Sequence, residues 1–426
     1  MLAFVDEQEI LDFRAHCAAT GKSPQGVAGV ACEWEGEGVL HFHQKRPLHG
    51  YGKESPCLFT DDCAALEDPV CIEKYSYIVV VTEKTVAAFA QYPKDSAERK
   101  ECVWQNIDLQ YIPSRENLYS RSQGILEVGA LAAKRVAIVG LGSFGSQIAI
   151  ELAKAGIGKF SLLDFDRVEL HNLMRHTCGI NDLGRLKTDA LYDAILGKNP
   201  YAKVDKFPVD INQNLKLLDQ EVSRADLVIC ATDNNKSRFN LNEAVVRNRK
   251  VCLYGRANTR AAGGDVFRYV PNGPCYNCLL GNAWYDAEAE EITNVESARH
   301  NGQIAAYVSA EDAAAKVQVG LSADIAPICN MMVKIALVEL SRGIDSGISS
   351  LEHELVYDYY MWANRRENRF ENWSAMPGAG AKPTILRWYG CRIQKLEGCA
   401  QCGKSGVAEL DEGDDVEFLL KKISSC

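Results

Sequence analysis

The chain has 426 residues, 47% of them hydrophobic, with a formal net charge of −10 and sixteen cysteines. That length suggests two or three domains with ample buried core, and an acidic balance without basic runs argues against nucleic acid or an anionic membrane as partner. No apolar run approaches the roughly eighteen residues of a membrane span, the N-terminal stretch Met1 to Glu7 has no basic region before its apolar residues, and the cysteines are dispersed, so a cytoplasmic enzyme is expected and not a secreted disulfide scaffold.

In chain order, Glu7 to Ala18 has the spacing of a helix, while Val39 to His43 and Tyr77 to Val81 are strand-like runs. Residues 1–112 are therefore expected to form a small α+β N-terminal domain with an accessory or recognition role. Its Cys17, Cys32, Cys57, Cys63, Cys71 and Cys102 match no metal motif and are expected to be buried packing residues. Pro113 and Arg115 mark a linker, and Leu118 to Ala133 reads as a helix entering a second domain over 113–405. From Val136 to about residue 265 strand and helix patterns alternate, as in a doubly wound, Rossmann-like α/β fold. The polar, acidic, alanine-rich stretch Asn282 to Ala315 reads as a crossover segment, near 282–322, with a solvated helix as the alternative. Pro327 to Leu340 is an apolar helix, Leu355 to Tyr360 a strand, and 406–426 an acidic tail with a short amphipathic end at Val416 to Ile423.

Gly140-Leu-Gly142-Ser-Phe-Gly145 lies between the apolar, β-branched run Val136 to Val139 and the helical pattern Ser146 to Ala155. Glycines at such a strand-to-helix turn let backbone N–H groups approach phosphate, and the acids Asp164 and Asp166 follow about twenty residues on, where a ribose partner belongs. Taken alone, the glycines also fit a turn with no ligand. Asn172, Arg175 and Lys187 then follow in close succession, and they suit polyphosphate better than a nicotinamide dinucleotide. A further strand, Ala225 to Ala231, ends in Thr232-Asp233-Asn234-Asn235 with Arg238 a turn later, and an acid at a strand end can hold Mg²⁺. Singly, each of these is better explained by a surface ion pair or a helix cap, and it is their order and context that favour a site.

Cys275-Tyr-Asn-Cys278 and Cys399-Ala-Gln-Cys402 are two CxxC pairs, where sixteen cysteines scattered over 426 positions would give about 0.6. Gly273-Pro274 before the first and Gly403 after the second suit knuckles that turn two thiolates toward one ion, a tetrahedral Zn²⁺. Redox thiols or free buried thiols are the alternatives.

Together these motifs resemble the ThiF-type adenylating enzymes, the family of molybdopterin-synthase and thiazole-biosynthesis adenylyltransferases and of ubiquitin-activating enzymes. The likeness runs from Tyr119-Ser-Arg121 through the glycine turn, Leu163-Asp-Phe-Asp166, Val168 to Arg175, Lys187, Asn199-Pro200 and Asp233 to both CxxC pairs, about residues 115 to 405. It implies a bacterial-type ubiquitin-like-protein activating enzyme: ATP-dependent adenylation of the C-terminal glycine carboxylate of a ubiquitin-like protein, for conjugation or sulfur transfer. Gly140, Gly142, Gly145, Asp164 and Asp166 would hold the nucleotide, with Asp164 on the ribose; Asn172, Arg175 and Lys187 the phosphates; and Asp233 the Mg²⁺. The resemblance also makes the zinc at Cys275, Cys278, Cys399 and Cys402 structural.

Arg121 precedes the first strand of this domain, and the resemblance implies that it crosses a twofold axis into a partner's ATP site, hence a homodimer. A helix-surface arginine is the simpler alternative. His171 and His176 depart from the family pattern, which has serine and glutamine there, and bear on substrate selection. The crossover segment lacks the nucleophilic cysteine of ubiquitin-activating relatives. Cys329, placed by Pro327 in a first helical turn, is the nearest candidate for a thioester, ahead of Cys178, Cys391 and Cys426, with a packing residue as the alternative. A conjugating-enzyme-like acceptor is a further candidate partner. The competing functional class is an adenylating or ligating enzyme for a peptide or small carboxylate.

Overall fold

The computed structural model describes residues 2–20, 26–34, 37–44, 52–93, 102–112, 118–281, 320–367, 370–373 and 384–403. The chain divides into two compact units, Met1–Arg121 and Ser122–Cys426. The expected crossover up to residue 319, the linker at Pro113 and Arg115, and the tail with Cys426 lie outside the described residues.

In the first unit the order is β1 (Leu2–Asp6), α1 (Glu7–Thr20), β2 (Gly26–Trp34), β3 (Val39–His43), β4 (Lys53–Thr60), α2 (Pro69–Lys74), β5 (Tyr77–Val81), β6 (Val86–Pro93), β7 (Cys102–Ile107) and β8 (Leu109–Ile112). The strands form one mixed sheet, β7-β6-β5-β4-β2-β3-β1-β8. Period-two alternation decides its faces: Leu40 and Phe42 of β3 are buried while His41 and His43 are half-exposed. Helix α1 covers the buried face with Ile10 and Phe13, one turn apart, and Phe13 meets Phe59 with ring centroids 6.4 Å apart. All five residues of β5 are buried, because Ile78 and Val80 on its other face join Leu58 and Tyr75 beneath Leu66 and Cys71. Cys32 and Cys57 are buried as expected of packing thiols, but Cys63 is exposed and Cys17 and Cys71 are half-exposed.

The second unit contains α3 (Val128–Leu131), β9 (Arg135–Val139), α4 (Ser143–Lys154), β10 (Lys159–Leu163), α5 (Lys187–Leu196), β11 (Lys203–Phe207), α6 (Leu215–Arg224), β12 (Leu227–Cys230), α7 (Asn235–Arg247), β13 (Val251–Ala257), β14 (Gly263–Tyr269), α8 (Tyr276–Leu280), α9 (Ser322–Leu340), β15 (Tyr359–Ala363) and β16 (Arg387–Cys391). The sheet order is β11-β10-β9-β12-β13-β14-β15-β16. The first five strands are parallel and the last three join antiparallel. Both faces of the parallel part are covered, so β9 is apolar on each side. Val136 and Ile138 pack with α4 and α9, and Ala137 and Val139 pack with α6 and α7. This is the doubly wound α/β fold read from the sequence.

Chain order reverses at β9: β10 and β11 lie on one side, β12 and β13 on the other. Val139 pairs with both Leu163 and Cys230, and Cys230 with Tyr254. The ends of β9, β10 and β12 are thus in register, β13 runs on beyond them to Ala257, and the segments that follow open into one crevice, the usual ligand site of such sheets.

Three local expectations change. Leu118 to Ala133 is not one helix: a 3₁₀ turn at Ser120–Ser122 and the four-residue α3 are separated by Gly124, whose φ of +77° breaks the helical run. The strand read at Leu355 to Tyr360 starts later, at Tyr359. The apolar helix starts earlier, at Ser322, so Pro327 is inside α9 and not in its first turn.

Candidate active site

Each of the three glycines after β9 has its own reason. Gly140 has φ +85°, and a Cβ there would lie 2.8 Å from the Ala231 carbonyl oxygen at the end of β12. At Gly145 a Cβ would stand 1.9 Å from the Gly140 carbonyl oxygen, so this glycine lets α4 close on the turn. Gly142 has ordinary φ, and no atom lies within 4 Å of where its Cβ would be. Its missing side chain leaves room for something other than protein. Gly142 is also the N-cap of α4 and provides no side-chain cap for the first N–H groups of the helix.

The turn borders a cavity of about 1040 Å³ lined by Gly140, Gly142, Asp164, Asp166, Asn172, Arg175, Lys187 and Asp233, and also by Asp210, Asn235, Arg238, Arg256, Asn258 and Asp265. Asp164, at the end of β10, accepts from the Leu141 N–H (2.6 Å) and the Asp166 N–H (2.8 Å), so one carboxylate fixes the turn to the loop. Burial pushes its carboxyl up, against the Lys187 ammonium and these two N–H groups, which pull it down. Lys187, 7% exposed, is the first residue of α5, and its Nζ lies 2.8 Å from Asp166 Oδ2. Asn172 accepts the Glu169 N–H through Oδ1 at 2.9 Å. Burial lowers the pKa of the half-buried Arg175 guanidinium, and among the described residues no carboxylate is paired with it. Exposed Asp233 lies past the end of β12, just before α7.

His176 is buried. Its Nδ1 accepts the Cys178 N–H (3.1 Å), which leaves Nε2 to donate to the Leu141 carbonyl oxygen (2.7 Å), and burial first of all lowers its pKa. It braces the glycine turn and is not among the cavity-lining residues. His171 does line the cavity, 3.4 Å from Glu169. Asn199 is a turn-former, donating to the Ile157 carbonyl oxygen at 2.9 Å. Arg121 is exposed in the 3₁₀ turn that ends the first unit and does not line the cavity. Cys329 is 1% exposed, and burial pushes its thiol up to about 12. With Pro327 interior to α9, the helix-start activation expected for Cys329 does not exist. Cys178 is likewise buried and pushed up to about 12, and burial also raises Cys391.

Other cavity groups were not singled out from the sequence. Arg256 on β13 lies opposite Asp265 on β14 and grips it through Nε (2.8 Å) and a terminal nitrogen (3.1 Å). Only the hairpin register brings the two together.

The four knuckle cysteines converge. Their sulfurs all lie within 4.8 Å of one another, with Cys275–Cys399 at 3.6 Å, Cys278–Cys402 at 3.4 Å and Cys275–Cys278 at 4.0 Å. Zinc bonds of about 2.3 Å in a tetrahedron set sulfurs about 3.8 Å apart, whereas a disulfide needs about 2.0 Å, so the residues fit Zn²⁺ and not two bridges. The Cys278 thiol is drawn well below the usual thiol range, first by its hydrogen bond with the Cys275 thiol. Gly403 closes the second knuckle, its N–H donating to the Cys399 carbonyl oxygen at 2.8 Å; a Cβ there would lie 2.4 Å from that oxygen.

A parallel sheet with a glycine turn, a strand-end acid and a cationic loop around its switch point has the arrangement of a nucleotide-binding α/β domain. The chain belongs to the ThiF family, whose profile matches residues 119–376. It is 38% identical over 152 residues to the molybdopterin-synthase adenylyltransferase of Escherichia coli K12, covering 35% of this chain and 60% of that protein. It is 32% identical over 190 residues to the adenylyltransferase and sulfurtransferase MOCS3 of Drosophila virilis, covering 44% and 41%. Over 156 residues it is 33% identical to the SAMP-activating enzyme E1 of Haloferax volcanii, covering 36% and 56%. The chain thus spans about half the length of the curated relatives it matches. Among solved structures, E. coli MccB superposes with a TM-score of 0.48 at 17% identity, over 68% of this chain and 75% of that one.

Proposed function

We propose that the protein uses ATP to adenylate the C-terminal glycine carboxylate of a ubiquitin-like protein, for conjugation or sulfur transfer. The observation that carries this reading is Arg175: a half-buried guanidinium with no paired carboxylate among the described residues, on the same cavity as Lys187 and the open space at Gly142. A half-buried guanidinium on the wall of a cavity of this size suits a polyphosphate anion. Relatives named as adenylyltransferases and as a SAMP-activating enzyme support the choice of reaction and of substrate.

A carboxylate is a poor acyl donor because its leaving group would be oxide. One of its oxygens attacks the α-phosphorus of ATP, the bond to the bridging oxygen of pyrophosphate breaks, and a mixed anhydride with AMP forms. Negative charge grows on the non-bridging oxygens and the departing pyrophosphate, so the protein contributes alignment and fixed positive charge. In this reading Gly140, Gly142 and Gly145 bring backbone against the phosphates and Asp164 takes the ribose. Arg175, Lys187 and the NH₂ end of Asn172 hold the phosphate chain, with Asp166 keeping Lys187 in place. Asp233 would hold Mg²⁺, which neutralises the polyphosphate when bound, and the four cysteines would hold a structural Zn²⁺. Arg121 reaches the partner's ATP site in a cytoplasmic homodimer, and residues 1–112 serve as a recognition domain beside an adenylation domain over 113–405. A conjugating-enzyme-like protein is the proposed acceptor. The buried Cys329 takes no part, and in this reading the acyl-adenylate is released or passed on directly.

The test is mass spectrometry of the protein with ATP, Mg²⁺ and a ubiquitin-like protein ending in Gly-Gly. An adenylate on the glycine terminus is expected. ATP consumption with no acyl-AMP, or with AMP on a small carboxylate alone, would remove the reading.

A further inference from the structure

The first cysteine knuckle lies against α7, the helix whose start faces the cavity. Phe239 and Asn242 of α7, together with Asn235 at its first position, are spaced i, i+4 and i+7, a single helical face, and all three meet the two residues between the knuckle cysteines. Asn242 Oδ1 accepts the Tyr276 N–H (3.0 Å), while its Nδ2 donates to Asn277 Oδ1 (3.0 Å). Phe239 meets the Tyr276 ring edge-on, with centroids 5.7 Å apart, and the Tyr276 hydroxyl donates to Asn235 Oδ1 at 3.3 Å. That hydroxyl also accepts from Arg256, 3.4 Å away, and Asn235 Oδ1 accepts from Arg238 at 3.0 Å. Asn235, Arg238 and Arg256 all line the cavity. Tyr276 is fully buried and stacked on Tyr254, with centroids 4.9 Å apart, so its hydroxyl has little freedom to wander.

We infer that Tyr276 is a positioning residue that couples metal held by the four cysteines to nucleotide held in the cavity. The cluster fixes Cys275 and Cys278, which bracket Tyr276 and Asn277, and Tyr276 fixes Asn235 and Arg256, the first of these two residues from Asp233. Coupling of this kind is reciprocal: if metal orders the cavity, nucleotide in the cavity must stabilise the metal. The inference rests on the nucleotide reading above, but its test does not use the adenylation reaction.

The zinc-loaded full-length protein is challenged with a thiol-modifying reagent, and released Zn²⁺ is followed with a chromogenic chelator, with and without a non-hydrolysable ATP analogue. Calorimetry under the same conditions reports whether the analogue binds. Saturating analogue should slow release about fivefold or more in the wild type. In Tyr276→Phe, which removes one oxygen and keeps the ring, metal content should stay the same while the protection falls at least to half. A second variant, Asn242→Ala, should also lose protection. Bound analogue with unchanged release from wild-type protein would overturn the coupling, as would full protection in Tyr276→Phe, or protein that purifies with no metal on the cluster. A wild type that binds no nucleotide would instead refute the functional reading on which the coupling stands.

Discussion

The three glycines of the turn should respond differently to a single added methyl group. Gly145→Ala places a Cβ 1.9 Å from the Gly140 carbonyl oxygen, a backbone atom that can yield only if the turn or α4 moves. Overpacking of this sort costs about 1–3 kcal/mol, and a backbone obstacle puts it at the upper end. At about 2–4 °C per kcal/mol for a domain of this size, the melting temperature should fall by roughly 5–10 °C. Gly140→Ala combines a residue at φ +85° with a 2.8 Å contact to Ala231; the left-handed backbone alone costs about 1–2 kcal/mol. Gly142→Ala meets nothing within 4 Å, and the stability change should stay under about 1 kcal/mol, as for an exposed N-cap exchange. Its methyl group projects into the space assigned to phosphate, so affinity for a non-hydrolysable ATP analogue should fall about tenfold or more, equivalent to about 1.4 kcal/mol. Circular dichroism melts and calorimetric titration measure the two quantities separately. The reasoning fails if Gly142→Ala melts as low as Gly145→Ala, or if it binds the analogue as tightly as wild type.

Arg175→Ala and Lys187→Ala should each slow ATP–pyrophosphate exchange on the order of a hundredfold, with melting temperature little changed for Arg175; wild-type exchange in either variant removes that phosphate contact. Mixing Arg121→Ala subunits with Asp233→Ala subunits should restore exchange that neither parent has, because one site of the mixed dimer keeps both groups, and no recovery after verified subunit exchange argues against a shared site. Cys399→Ser should lower zinc from about one per chain and destabilise the second unit, whereas unchanged metal content by elemental analysis would exclude a four-cysteine site. His176 is kept neutral, its pKa lowered by burial. The unfolded state therefore binds the extra proton first, and the stabilisation is intact above the ordinary imidazole value of about 6.5 and is lost as pH falls toward the folded value. His176→Gln keeps a donor for the Leu141 carbonyl oxygen, and denaturant titrations across this range should show a flatter pH dependence; an unaltered slope would contradict the neutral, buried assignment.

What the sequence revealed follows the range of the interactions. The β9 turn, the strand-end acids and the loop cations were legible because each is a local pattern of residue types, set by its position at a strand end. The count of CxxC pairs likewise pointed to a metal, although only the fold brings Cys275 to 3.6 Å from Cys399. Contacts depending on register were not legible: Arg256 meets Asp265 only because β13 and β14 pair antiparallel, and Tyr276 reaches Asn235 only because α8 packs on α7. Boundaries misled where a strong local signal competed with packing. Pro327 reads as a helix start, yet Ile325, Ile328 and Met332 of α9 are all buried, and burial of that face extends the helix one turn ahead of the proline. A thiol two residues beyond the proline consequently lies in the core and has no helix-end activation.

The most direct measurement of the central claim is incorporation of radiolabelled pyrophosphate into ATP by the full-length protein with Mg²⁺ and a ubiquitin-like protein ending in Gly-Gly. Exchange is predicted to depend on that terminus, to vanish when the last glycine is deleted, and to be lost in Arg175→Ala. Equal exchange with and without the ubiquitin-like protein, or no exchange with any glycine-terminated partner while ATP binds normally, would contradict adenylation of a protein C-terminus as the activity of this cavity.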